Sequence, residues 1–441
     1  MRDIVILTII LGSLPLCFFR PYFGVLMWVW VAYFNPHRFG YYAYNFPVAT
    51  AIAIPTLIGM VFSRQINRNI WVRETILLLV FWIWVTITWI NATTVPIFAD
   101  HVLDGKLRLI TTSKVILMSF VILLLVNSRK KLDGLFLVTA LSFGLLAIKG
   151  GIFGIRTSGE FRVWGPPDSF VADNNDFGLA LNMTLPIMFY MARDIGSKWL
   201  KRLLWASFFF SVLAIILTYS RGALLGLAVV LGMFTWKSRH RMLGAGVLAG
   251  FALLVITFAP GAWMDRMGNF LHGNLDESAE GRLNAWHFAI VLANQYPITG
   301  GGFETFQPEL FDRFTPGLRF AGPHSIYFEM LGEQGYVGLL ILLTTLGSCF
   351  VTLRRLRRQV RDKPSLNWIA KYSDMLEICL LAYAISGAFL PRAYFDLWFE
   401  LAVCTALLKI FYRREVAAMA LNPEPQQREP EVLPEMQEAP V

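Results

Sequence analysis

Charge is what this chain has least of. Only 16% of its 441 residues are Asp, Glu, Lys or Arg, against about 25% in an ordinary soluble domain. Cysteine is scarce as well. Cys17, Cys349, Cys379 and Cys404 are the whole complement, and each lies inside an apolar run. None is placed to form a disulfide across an aqueous loop, and all four read as small packing residues. There is no D-x-D pair and no His/Cys cluster at metal-ligand spacing, so no metal and no cofactor is expected. The chain shows no internal repeat and no soluble domain. Its first apolar run lacks a strong basic flank and an A-x-A-like site, and is expected to stay as a span.

Apolar residues are what is abundant, at 56% with a mean hydropathy of +0.54. They come in runs of about 15–22 residues, the length that crosses a hydrocarbon core of about 30 Å. The runs lie near 4–19, 22–35, 47–63, 73–90, 107–126, 132–155, 176–193, 199–218, 221–236, 242–259, 325–353, 373–391 and 394–412. The first two are short and only Arg20 and Pro21 part them, so the count is 12 or 13. The pattern predicts an all-α integral membrane protein of about 12 transmembrane helices. One membrane domain spans 1–420, with a long external loop at 260–324, and the Pro/Glu/Gln-rich tail at 421–441 reads as disordered.

A net charge of +9 is also what a nucleic-acid binder carries, but its placement argues against nucleic acid. The basic residues form short clusters between spans: Arg64/Arg68/Arg73, Arg129/Lys130/Lys131, Arg193/Lys198/Lys201/Arg202, Lys237/Arg239/Arg241, the run Arg354 to Lys363, and Lys409/Arg413/Arg414. These fall on alternate loops, and the positive-inside rule then puts them and the C-terminus in the cytoplasm. The loops 36–46, 91–106, 156–175, 219–221 and 260–324, with a turn near Pro391/Arg392, face out. Within 260–324, residues 282–295 predict an amphipathic helix with Leu283, Trp286, Ala289, Ile290 and Ala293 on one face.

Three outward segments carry groups able to do chemistry. In Ser220-Arg221-Gly222-Ala223, Arg221 sits between two spans. By position alone it snorkels to the headgroups, but it also breaks the charge pattern, which points to function. Arg282 stands at the expected helix start, where free N–H groups favour an anion. It is followed by Gly300, Gly301 and Gly302, read either as a flexible turn or as a close approach to a ligand. His324 opens a span ahead of Ser325, Glu329 and Glu333. Its ordinary pKa of about 6.5 suits proton exchange near neutrality, though a lone interfacial histidine is more often structural. Arg221 and Arg282 are candidate partners for the two glutamates. Two guanidinium groups and a histidine facing one compartment suit a lipid-diphosphate donor, with arginine rather than metal neutralising the leaving group. Lys149, near the outer end of its span, is a further candidate for that phosphate site. The loop Phe39-Gly40-Tyr41-Tyr42-Ala43-Tyr44 reads as an interfacial aromatic belt, or else as a surface on which sugars stack.

Ser220 to Ala223, Arg282 with Trp286, Pro297 to Phe306 and His324 to Gly338 together resemble the O-antigen ligase family of membrane glycosyltransferases, in order and spacing, over roughly residues 205–340. Ser325 departs from the asparagine frequent there but keeps a hydrogen-bonding group. The stretch Phe161 to Asn182 is similar to O-glycosylation ligases of exosortase systems. The resemblance implies a periplasmic-facing site in a bacterial inner membrane and metal-independent, inverting transfer of a glycan. The donor would be undecaprenyl diphosphate and the acceptor lipid A–core oligosaccharide. It implies that Arg221 and Arg282 bind the diphosphate and His324 acts on the acceptor hydroxyl; Lys149, Ser325, Glu329, Gly300 and Gly302 are the candidate supporting residues. A protein hydroxyl or a growing polysaccharide is the alternative acceptor. A transporter of lipid-linked glycans is less in keeping with span interiors that are mostly apolar, with Lys114, Lys149, Glu329 and Glu333 the main exceptions.

Overall fold

The computed structural model describes residues 2–238, 240–258 and 277–421. Outside the described residues lie Arg239, the stretch 259–276 with Asp265, Arg266 and Asp276, and all but the first residue of the expected disordered tail. Among the described residues every regular element is helical. In chain order the α-helices are α1 (Arg2–Phe19), α2 (Pro21–Phe34), α3 (Val48–Phe62), α4 (Arg73–Thr94), α5 (Val102–Leu125), α6 (Arg129–Arg156), α7 (Asn174–Asp194), α8 (Lys198–Leu217), α9 (Arg221–Lys237), α10 (Arg241–Phe258), α11 (Glu277–Gln295), α12 (Pro308–Phe314), α13 (Ile326–Gln359), α14 (Asn367–Ser386) and α15 (Asp396–Leu421). The first two apolar runs are therefore two helices that pack on each other and on α3.

Among the described residues six helical segments are long and apolar enough to cross a membrane: Arg2–Phe19, Arg73–Thr94, Asp104–Leu125, Arg129–Arg156, Lys198–Leu217 and Ile326–Gln359; Pro21–Phe34 and Val48–Phe62 are apolar but shorter. The expected count of about 12 is thus met only in part by length and composition. Burial supplies the reason for α7 and α15. Asn174, Asp176 and Asn182 of α7 and Asp396 and Glu400 of α15 are buried against neighbouring helices, so a helix at the bundle centre can be polar where a lipid-facing one cannot. The four cysteines are buried and unpaired, as their positions suggested.

The loops expected to share one side do gather at one end of the bundle. The Asp3 carboxylate accepts from Ala43 N at 2.9 Å, Val163 N donates to Leu217 O at 2.9 Å, and Tyr219 donates to Gly159 O. The Ala393 N–H reaches Glu329 at 2.8 Å. A small second core roofs this end, built from Phe288, Leu292, Phe306, Leu310, Phe311 and Phe98. It corrects the expected amphipathic helix in two ways. Helix α11 begins at Glu277, so Arg282 lies beyond its first turn and away from the N–H groups of the helix start. Its buried face is Ala285, Phe288, Ala289, Leu292 and Ala293, while Leu283 and Ile290 are exposed. Phe288, stacked at 4.2 Å on Phe311, sets the rotation.

Helix α13 breaks once, at Gly335 with φ 69° and ψ −173°. The break strips carbonyls and an N–H of their helical partners, and buried backbone groups must find others. The Pro297 to Gly302 turn supplies them. Gly301 N and Gly302 N donate at 2.9 Å to Gly332 O and Glu333 O, and Tyr336 N donates at 2.9 Å to Pro297 O. A Cβ on Gly300, at φ 62°, would stand 2.6 Å from Gly335 N. The glycines therefore serve backbone-to-backbone docking. Gly335→Ala must adopt a conformation essentially reserved for glycine, at a cost of about 1–3 kcal/mol before any clash. Gly347→Ala, in the same helix with open space around the added carbon, is expected to leave stability unchanged or slightly raised. Thermal unfolding of the two purified variants checks both.

Candidate functional site

The polar centre of this end is Arg108 of α5. Its Nη2 lies 3.4 Å from Glu329 Oε1 and its Nε 4.0 Å from Glu304 Oε1, with side-chain exposures of 24% for Arg108 and 4% for Glu329. Glu333 is within its electrostatic reach. The second oxygen of Glu329 takes the Ala393 N–H. Glu333 accepts from the Tyr394 hydroxyl at 2.7 Å and from Glu304 N at 3.0 Å. Gln334 donates to Tyr394 at 2.9 Å and accepts from Thr88. Beyond it, Arg392 pairs with Asp176 of α7. The partner that the structure shows for Glu329 is Arg108, where the sequence had suggested Arg221 or Arg282. A cavity of about 340 Å³ lined by Asp104, Leu107, Arg108, Thr111 and Glu304 opens beside this network.

Arg221 stands at the first position of α9. The Ser220 hydroxyl caps that helix by accepting from Ala223 N at 3.2 Å, the usual service of a serine at a helix start. Tyr219, at φ 59°, makes the tight reversal between α8 and α9. Asn174 and Asn182 of α7 hold the reversal by donating at 2.7 Å to Thr218 O and Ala223 O. Gly222 lies against Phe389, where an added Cβ would come within 3.1 Å of the phenylalanine Cβ.

His324 is the left-handed residue, φ 41°, immediately before the start of α13. The indole of Trp286 fixes it from α11 by donating to Pro323 O at 3.0 Å and stacking on Phe328 at 4.8 Å. Burial of its surroundings lowers the imidazole pKa below its ordinary value; the Arg282 charge pushes the same way and Asp173 opposes. The structure therefore brings Arg282, His324 and Asp173 into one electrostatic neighbourhood. The short turn Gly387–Phe389 links it to Arg221, since Phe389 packs at Gly222 and Gly387 packs at Ile326. The buried Ser325 hydroxyl has no hydrogen-bond partner among the described residues. Lys149 makes its contact elsewhere, 4.2 Å from the centroid of the Phe39 ring.

Arg108, Arg392, Tyr394 and Asp176 are not among the candidate site residues that the sequence pattern suggests. An arginine two residues inside an apolar run was a usable signal, because an intramembrane charge needs a partner; the partners themselves are distant in the chain and were not legible.

A helical bundle with membrane-length spans is the build of a multi-pass membrane protein. Residues 206–343 match the family model described as O-antigen ligase, and that segment is similar to the members of that family. Residues 1–194 match a family of unknown function (DUF5935). No curated protein matches the chain. The matched ligase segment contains Arg221, Arg282, Gly300, Gly302, His324, Ser325 and Glu329, while Arg108 and Lys149 belong to the first segment.

The network gives a stability prediction. Arg108→Ala leaves the Glu329 carboxylate buried without its cation, which costs about 3 kcal/mol, the low end of the range for a broken buried pair because Arg108 is partly exposed. Arg108→Met combined with Glu329→Met removes both charges and is expected to recover most of the loss. Thermal unfolding of the three variants measures it; additive losses would contradict the pairing.

Proposed function

We propose that the protein transfers a glycan from undecaprenyl diphosphate to lipid A–core oligosaccharide on the periplasmic face of a bacterial inner membrane. Basic loop clusters and the C-terminus would then be cytoplasmic. The observation that carries the reading is the Arg282–His324 neighbourhood, placed across one short turn from Arg221, within the segment that matches the ligase family.

In this reading Arg221 and Arg282 hold the two phosphates as the bond to the sugar lengthens, because guanidinium forks match phosphate oxygens and neutralise the growing charge. The acceptor hydroxyl attacks the anomeric carbon from the face opposite the diphosphate. The new C–O bond forms as the bond from C1 to the phosphate oxygen breaks, and the electron pair leaves on the polyprenyl diphosphate with inversion at C1. The hydroxyl proton passes to the His324 imidazole and from there to water. A lowered pKa serves that step, because it leaves the ring neutral and ready to accept at neutral pH. Ser325, beside His324, offers its hydroxyl to the acceptor, and Glu329 holds the first turn of α13 through Arg108 and Ala393 N. Gly300 and Gly302 contribute by fixing the loop to α13. Lys149 would meet the substrate only at the rim, near Phe39. No metal is required where arginines carry the charge.

The test is reconstitution of the full chain in vesicles with lipid-linked glycan and lipid A–core, without added metal. Wild type is expected to place glycan on lipid A–core. His324→Ala and Arg221→Ala should each lose at least about 100-fold in rate, the scale of a proton-transfer group or a charge-stabilising donor. Release of polyprenyl diphosphate only when a protein or polysaccharide acceptor is supplied would move the acceptor and keep the chemistry. Movement of lipid-linked glycan across the vesicle with no transfer would replace the enzyme by a transporter.

A further inference from the structure

The loop Phe39 to Asn45 has no role in the transfer just described, and it belongs to the segment matching a family of unknown function. Tyr41 and Tyr42 are 83% and 80% exposed. They meet edge to face at 5.2 Å and, with Gly40, Tyr44 and Asn45, line a cavity of about 540 Å³. Large aromatic rings left this open on a loop are not serving the core of the bundle.

The loop is held from three directions. Asp3 of α1 accepts from Ala43 N at 2.9 Å. The Arg38 guanidinium lies 4.6 Å from the centroid of the Tyr44 ring and donates to Tyr44 O at 3.4 Å. The Tyr44 hydroxyl donates to Asp168. All three braces are charged side chains, and one of them is a carboxylate at the start of α1. Such groups belong at the polar level beyond the hydrocarbon, above the depth at which belt aromatics bury their rings. The bracing also pre-organises the rings, so little ordering is left for a ligand to supply.

The loop is also tied to the transfer site. Asp168, which holds Tyr44, is five residues from Asp173, whose charge His324 feels. An extended chain of that length spans at most about 18 Å, and Gly165 N bonded to Ala172 O at 3.2 Å folds this one back on itself. The tyrosines therefore stand within reach of an oligosaccharide anchored at His324.

We propose that Tyr41, Tyr42, Tyr44 and Asn45 form a carbohydrate subsite that grips a pyranose chain remote from the bond being made, resting on the ligase reading for which chain that is. The C–H face of a pyranose carries the partial positive charge that the face of an aromatic ring attracts. The Asn45 amide and the phenols offer donors and acceptors to its hydroxyl edge. The chain is either the glycan of the donor or the core sugars of the acceptor, and the two are separable.

The experiment measures binding rather than transfer, so that it stands apart from the ligase reading. The full-length protein in nanodiscs is titrated with two probes: oligosaccharide released by mild acid from the lipid-linked glycan of the source cells, and core oligosaccharide from the same cells. Saturation-transfer NMR and calorimetry read the affinity. Tyr41→Ala with Tyr42→Ala is expected to weaken one probe by about tenfold or more, the scale of two lost ring contacts. Tyr41→Phe with Tyr42→Phe should keep most of it and controls for folding. Loss for the first probe assigns the loop to the donor, and loss for the second assigns it to the acceptor. Unchanged affinity for both probes in the double alanine variant, or no binding by the wild type, overturns the proposal. Absent transfer in the reconstitution with intact oligosaccharide binding would remove the ligase reading and leave the subsite.

Discussion

A guanidinium set between carboxylates at one end of an apolar bundle is the constraint on which the rest of the structure depends. Glu329 and Glu333 are buried on the first two turns of α13, and such groups are tolerated inside a membrane protein only if cations and hydrogen-bond donors meet them. Arg108, Tyr394, the Ala393 N–H and the Glu304 N–H supply that demand. In doing so they draw α5, α13, the Glu304 loop and the turn before α15 to one point. His324 stands five residues before Glu329, so the network that anchors α13 also anchors the residue at its mouth.

The break at Gly335 extends the same logic to the roof. A straight helix would have satisfied its own backbone and offered nothing to the Pro297–Gly302 turn. The opened turn leaves polar groups that only a closely approaching backbone can reach, and the glycines permit that approach. Helix α11 then cannot drift, because its far end is docked on α13 and its Trp286 is bonded to Pro323 O. Arg282 is thereby held beside His324 by packing, whereas the sequence pattern had suggested a helix terminus.

Local patterns were legible in the sequence and tertiary ones were not. The junction expected at Arg221 is the start of α9, and the apolar runs 4–19, 73–90 and 132–155 fall on helices whose ends lie within a few residues of them. The face of α11 was misread because Leu283 and Ile290 fit helical spacing as well as Phe288 does. Only the aromatic stack with Phe311 decides between the stripes, and that contact spans more than twenty residues. The glycine run could be read as a flexible turn or as a ligand approach, because its partner, the Gly335 break, lies more than thirty residues away in the chain. Arg108 is inconspicuous inside an apolar run, while Arg221 stands out by breaking the charge pattern at a span junction and Arg282 by its place on an external loop. The polar helices α7 and α15 blur the span count for a related reason: they are sheltered by other helices, which a hydropathy window does not register.

The central claim is that the Arg108–Glu329 pair holds the mouth of α13 so that His324 sits in desolvated surroundings next to Arg282. Histidine-selective NMR titration of the protein in nanodiscs, with His324→Gln to assign the resonance, tests it directly. In wild type His324 should titrate below the ordinary value of about 6.5, and so be neutral at pH 7. Because the folded protein then refuses a proton that the unfolded chain accepts, this group withdraws stability as the pH falls from about 6.5. In Arg108→Ala the midpoint should rise toward the ordinary value as the mouth loosens. A His324 midpoint unchanged by that substitution would show that the charge pair and the histidine are independent, and would contradict the account.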